Sequence, residues 1–236
     1  MPPDDVARAF LERAKASRDD LEARLLLAAA IQRVADRLGL LAIVTGGTAV
    51  DFYAAGAAGT SAAYPARWRA SADVDVVAFA VSASSGTVRA LQERLARELD
   101  AGIERLGEDA DGRTMLSRGL TFPGLGYAAE IVGEALSLDP RAERVFRVDV
   151  AMRAPLAATQ TVILRGPEDT LLAYAESGWD LRDARDWERA LAVAAAMKEE
   201  IDLDYVRAKA RERGFPRVAE EALAGRALPG EREPLS

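Results

Sequence analysis

The chain has 236 residues, half of them hydrophobic and 6% aromatic, with 38 acidic against 31 basic side chains and a formal charge of −7. It contains no cysteine and no histidine, which excludes disulfides, thiolate nucleophiles, cysteine-based zinc centres, imidazole bases and the Ser-His-Asp triad. The acidic balance argues against a broad DNA- or RNA-binding coat, no apolar run nears the roughly 20 residues of a membrane span, and the acidic start Met1-Pro-Pro-Asp-Asp points to a cytoplasmic protein.

Abundant alanine and few aromatics predict a helix-rich α/β or α+β fold. From 4 to 38, Val6, Phe10, Leu11, Leu21, Leu25, Ala28, Ile31 and Val34 recur at helical spacing, predicting two amphipathic helices with a break near Ser17 to Asp19. This hairpin is expected to pack on the domain or on a second subunit rather than on a membrane. Gly39 ends it, and Leu40 to Thr45 reads as a buried strand opening into a Gly46-Gly47 turn. Helical spacing resumes from Thr48 to Ala55. Gly56 to Ser71 reads as a loop, in which Trp68 of Arg67-Trp68-Arg69 is expected to fold onto the domain.

Ala72 to Ala80 alternates carboxylate and apolar residues and then turns wholly apolar, as a strand with one wet end does. A long helix is predicted over 87–106, with Leu91, Leu95, Leu99, Ile103 and Leu106 on its inner face. Short strands follow at Met115 to Ser117, Leu120 to Phe122, Tyr127 to Val132, Val145 to Val150 and Thr161 to Leu164. After Gly166-Pro167 the pattern is helical, over about 167–177, 181–198, 202–213 and 218–223. The organisation this implies is N-terminal helices over 1–38, a core over 39–165, a helical region over 166–226 and a flexible tail over 227–236.

The chemistry concentrates in one ordered constellation: strand, Gly46-Gly47-Thr48, helix, loop, then Asp73-Val74-Asp75 at the mouth of a buried strand. Paired glycines let a backbone approach a phosphate, the following helix start offers unpaired amides, and the Thr48 hydroxyl adds a donor. Asp73 and Asp75, two apart on a strand, leave the same face, where one or two Mg²⁺ (or Mn²⁺) ions would relieve their repulsion and bridge the phosphates of a nucleotide. A third carboxylate from a neighbouring strand is expected from Glu130 or Asp149.

These residues resemble the polymerase beta type of nucleotidyltransferase, in particular the minimal members related to abortive-infection toxins. The likeness rests on Gly46-Gly-Thr-Ala-Val, Ala72-Asp-Val-Asp-Val-Val, Gly166-Pro-Glu-Asp-Thr-Leu-Leu-Ala-Tyr-Ala175, Leu181-Arg-Asp-Ala-Arg-Asp186 and Ile201-Asp-Leu-Asp-Tyr-Val206. It implies a small mixed sheet flanked by helices, with an N-terminal helical hairpin and a C-terminal helical region. It also implies Gly46, Gly47 and Thr48 on the phosphates of an NTP, metal on Asp73, Asp75 and Glu130, and transfer of a nucleoside monophosphate to a protein, tRNA or small-molecule acceptor. Relatives often carry a lysine where this chain has Tyr174, so Tyr174 is expected to meet the nucleotide and Arg182 or Arg185 to supply the charge. The alternative is a non-catalytic nucleotide-binding or toxin-antitoxin module of the same fold.

Overall fold

The structure, a computed structural model, describes residues 4–65, 68–80, 87–108, 114–132, 144–153 and 156–228. Two capped helices open the chain, α1 (Asp5–Ala16) and α2 (Asp20–Arg37). Asp4 accepts from the Val6 and Ala7 amides and Asp19 from that of Glu22, so each aspartate satisfies amides that its helix start leaves unpaired. The break between them falls where the spacing placed it. Gly39, with φ +67, ends α2 in the left-handed conformation that costs glycine little.

There follow β1 (Leu40–Thr45), α3 (Gly46–Ala54), β2 (Asp73–Ala80), α4 (Thr87–Leu99), β3 (Gly102–Glu108), β4 (Thr114–Thr121), β5 (Ala128–Val132), β6 (Val145–Met152) and β7 (Ala158–Arg165). Helices α5 (Pro167–Asp180), α6 (Ala184–Ala196), α7 (Leu203–Glu212) and α8 (Pro216–Leu223) complete the described chain. The strands form one mixed sheet in the order β3-β4-β5-β2-β1-β7-β6. Val44 of β1, Val74, Val76 and Ala78 of β2, and Ile131 of β5 face the main core shared with α2 and α4. Ile43 and Val77 lie on the opposite face with the carboxylates of β2. No described helix is long and apolar enough to cross a membrane.

Several element boundaries differ from the periodicity. The helix predicted over 87–106 stops at Leu99, because Asp100 takes φ +54 and Gly102 starts a strand against β4. A Cβ at Gly102 would stand 2.8 Å from Thr121 Oγ1, so this pairing is close where Gly102 has no side chain. The segments at Met115 and Leu120 are one strand, β4. Arg182 has φ +55 and Asp183 caps α6, so that helix starts at Ala184 rather than Leu181. Residues 229–236 of the expected tail lie outside the described residues, as does Arg67.

Candidate active site

Strand β2 lies between β1 and β5, and its register decides which acids meet. Asp75 stands opposite Thr45 on β1 and Glu130 on β5, and Asp73 stands opposite Ala128. Opposed residues project to the same face, so Asp73, Asp75 and Glu130 share one end of one sheet face. Asp149 does not join them. It sits on β6, beyond β1 and β7, three strand spacings or about 14 Å from β2. Its Oδ1 accepts from Thr161 Oγ1 at 2.7 Å on the adjacent strand. Alternation within Val145 to Val150 makes a strand, but only the pairing order says which strand neighbours β2.

The grouping is electrostatically unfavourable as it stands. Burial pushes the Asp75 carboxyl up to about 6, the negative charges of Asp73 and Glu130 add to the rise, and the Gly47 amide and Arg189 oppose it. Asp75 Oδ2 accepts from Gly47 N at 3.3 Å, and Asp73 Oδ1 from Ser71 Oγ at 2.6 Å. Among the described residues no three carboxylates stand close enough together to hold one ion. The Asp73 and Asp75 pair still fits Mg²⁺, a hard cation that takes one or two carboxylates and leaves its other positions to water and substrate phosphates.

The glycine pair also does a job that its sequence does not announce. Helix α3 begins at Gly46 itself, with φ +59, and a Cβ there would lie 1.7 Å from Asp75 Oδ2 and 2.8 Å from Asp75 Cβ. A Cβ at Gly47 would lie 2.3 Å from Ser71 Oγ. The two glycines thus let the start of α3 press directly on the carboxylate strand. Thr48 is fully buried; its hydroxyl donates to the Asp73 carbonyl at 2.7 Å and accepts from Arg24 Nη1 at 3.3 Å, so it braces β2 and is not placed to meet a phosphate.

The cation at this site is Arg189, which sequence reasoning passed over in favour of Arg182 and Arg185. Arg182 and Arg185 are exposed, and the Arg182 guanidinium lies 4.7 Å over the Trp179 ring. Arg189, one helical turn beyond Arg185 on α6, has a side chain only 12% exposed, and its Nη2 comes within 3.3 Å of the point a Gly47 Cβ would occupy. It contacts Tyr174 twice, with Nη1 3.5 Å from the hydroxyl and the guanidinium 5.3 Å from the ring centroid. Its Nε is buried without a hydrogen-bond partner. Close crossing of α5 and α6 makes this possible, since a Cβ at Gly178 would stand 2.6 Å from the Trp187 backbone nitrogen. The sequence signal available was the face shared by positions 182, 185 and 189.

The Gly166-Pro-Glu-Asp segment proves to be a structural joint. Asp169 accepts from the Arg144 amide at 2.7 Å and from the Tyr205 hydroxyl at 2.9 Å, while Glu168 accepts from the Asp202 amide at 3.1 Å. Arg144 closes it by pairing with Asp202 at 2.8 Å and lying 4.2 Å over the Tyr205 ring. A cavity of about 670 Å³ lies at the far end of α3, lined by Ala54, Ala55, Pro65, Trp68, Glu188 and Leu191 among others. It is roughly 12 Å along the helix from the carboxylates and, among the described residues, its lining holds no cation for an anionic ligand, so the polar end of α3 is the better candidate.

No family model matches the chain, and no curated protein matches it. Among solved structures, an antigenic nucleotidyltransferase-like protein from Paracoccidioides brasiliensis is similar, with a TM-score of 0.50 and 18% identity over 89% of this chain and 96% of that one. The chain has a nucleotidyltransferase fold. The antibiotic-resistance factor ANT(2'')-Ia is also similar, at a TM-score of 0.45 and 15% identity over 83% of this chain and 94% of that one, too low for the fold to rest on it. Within the nucleotidyltransferase fold, β1, α3 and β2 bring the glycines and both aspartates of the sequence constellation to one place.

Proposed function

We propose that the chain is a divalent-cation-dependent nucleotidyltransferase, moving a nucleoside monophosphate from an NTP to an acceptor nucleophile with release of pyrophosphate. The observation that carries this reading is a pairing of opposite needs at the start of α3. Asp73 and Asp75, with Glu130 in register, hold more negative charge than the described surroundings neutralise. Beside them Arg189, which already pairs with Asp186 at 3.5 Å, also stands against the positive end of a helix dipole, an arrangement that a further anion relieves. A metal-bound phosphate chain satisfies both at once.

In this reading Asp73 and Asp75 would offer oxygens to Mg²⁺ or Mn²⁺, which would supply the positive charge that stabilises the leaving pyrophosphate. Arg189 and the α3 amides orient the triphosphate, in the role first given to Arg182, Arg185 and Thr48. Glu130, exposed beside Asp75, orients the acceptor and takes its proton. Tyr174 holds Arg189 in place and does not itself meet the base.

Incubation with α-labelled NTPs and Mn²⁺, following pyrophosphate release and label transfer, tests the reading; both should vanish in Asp75→Asn. Activity that survives this substitution refutes it. A second reading, binding without turnover, is favoured by Tyr174 in the place of a lysine, and calorimetry showing NTP binding without pyrophosphate release would select it.

A further inference from the structure

Behind the carboxylate strand lies an ion pair for which the proposed reaction has no direct use. Arg24 of α2 and Asp51 of α3 both have 0% side-chain exposure and meet at 2.5 Å. Burying two charges is costly, and apolar replacements of such pairs often leave a protein equally stable or more so, so stability alone gives no reason for this one. Its geometry does, because two routes lead from the pair to the same residue.

On the first route Arg24 Nη1 donates to Thr48 Oγ1 at 3.3 Å, and Thr48 Oγ1 donates to the Asp73 carbonyl at 2.7 Å. On the second, Asp51 Oδ2 accepts from the Ser71 amide at 2.7 Å, and Ser71 Oγ donates to Asp73 Oδ1 at 2.6 Å. The backbone and one carboxylate oxygen of Asp73 are therefore both fixed from one ion pair. The pair also ties down the loop that leads into β2, through Arg24 Nη2 to the Tyr64 hydroxyl and Trp68 Nε1 to Asp51 Oδ1, each at 2.9 Å.

We propose that Arg24 and Asp51 are positioning residues that set the site's affinity for divalent cations by holding Asp73 through Ser71 and Thr48. The proposal rests on the metal-dependent reading above and names the residues that aim one of its ligands. Partners that orient a metal ligand from outside typically change metal affinity 10- to 100-fold when removed, although they touch no metal. Ser71→Ala deletes one link and leaves the ion pair and the Ser71 amide contact intact. Arg24→Lys keeps the buried charge but cannot reach Asp51, Thr48 and Tyr64 together.

The test is titration of the full chain with Mn²⁺ alone, following the free-ion electron paramagnetic resonance signal, beside thermal melting without metal. Ser71→Ala should melt within a few degrees of the wild type yet bind Mn²⁺ about 10-fold more weakly. Arg24→Lys should weaken Mn²⁺ as well, and decides the matter should Ser71→Ala fail to fold. Wild-type Mn²⁺ affinity in a folded Ser71→Ala protein overturns the proposal; if Asp75→Asn still abolishes binding, the metal site itself stands. Mn²⁺ binding that is absent from the wild type, or that survives Asp75→Asn, overturns both.

Discussion

Two helices start side by side, α3 after β1 and α5 after β7, on neighbouring parallel strands, and each start gathers acidic side chains. At α5 the acids are satisfied: Asp169 and Glu168 accept from the Arg144 and Asp202 amides and the Tyr205 hydroxyl, with the Arg144 guanidinium alongside. At α3 they are not, since Asp75 has one long contact to Gly47 N while Asp73 and Glu130 repel it. Burial is deeper at α5, so depth does not separate the two. What separates them is neutralisation, and the unneutralised cluster is the one that asks for a ligand.

The sharpest way to break this comparison is to make the same change at both ends. Asp75→Asn should remove at least about 100-fold of any transfer activity, because it takes an oxygen ligand from the site. In metal-free urea unfolding at pH 7.5 it should stabilise the protein. Asp169→Asn should destabilise it, by roughly 1.5–3 kcal/mol, since hydrogen bonds to a buried charge are lost. Changes of the same sign would erase the distinction.

Gly46→Ala tests the close approach of α3 to β2. A left-handed alanine pressed into Asp75 should cost about 2–4 kcal/mol, read from the midpoint of denaturant unfolding. Arg189→Ala should weaken NTP binding about 10- to 100-fold by calorimetry, with Arg185→Ala near wild type.

A smaller effect is expected with pH. The folded Asp75 carboxyl titrates near 6, above its ordinary 3.8, so between those values the folded chain keeps a proton that the unfolded chain has lost. Metal-free stability should therefore fall as pH rises from about 4 to about 6, and Asp75→Asn should flatten that fall in thermal melts. Asp19 contributes in a separate window. Burial alone would raise its carboxyl, but hydrogen bonds from Glu22, Ser61 and Thr60 hold it well below the usual range, so its share is lost only as pH drops below 3.8. Least of all, Asp149→Ala should leave Mn²⁺ affinity unchanged, as its place on β6 requires.

What the sequence determined by itself is local. Periodicity and glycines placed α1, α2, β1 and β2 within a residue or two, and spacing of two put Asp73 and Asp75 on one face. It could not say that α4 ends at Leu99, because the helical phase of Leu91, Leu95 and Leu99 runs on through Ile103 while partnership with β4 claims the residues after Gly102. Nor could residue spacing by itself place Glu130 rather than Asp149 beside β2, turn Thr48 inward, or find Arg189. Those depend on strand order, on α5 crossing α6 at Gly178, and on a buried ion pair between helices 27 residues apart in its partners. Side-chain direction along an element is written in consecutive residues, whereas which elements become neighbours is settled only when the strands pair and the helices pack.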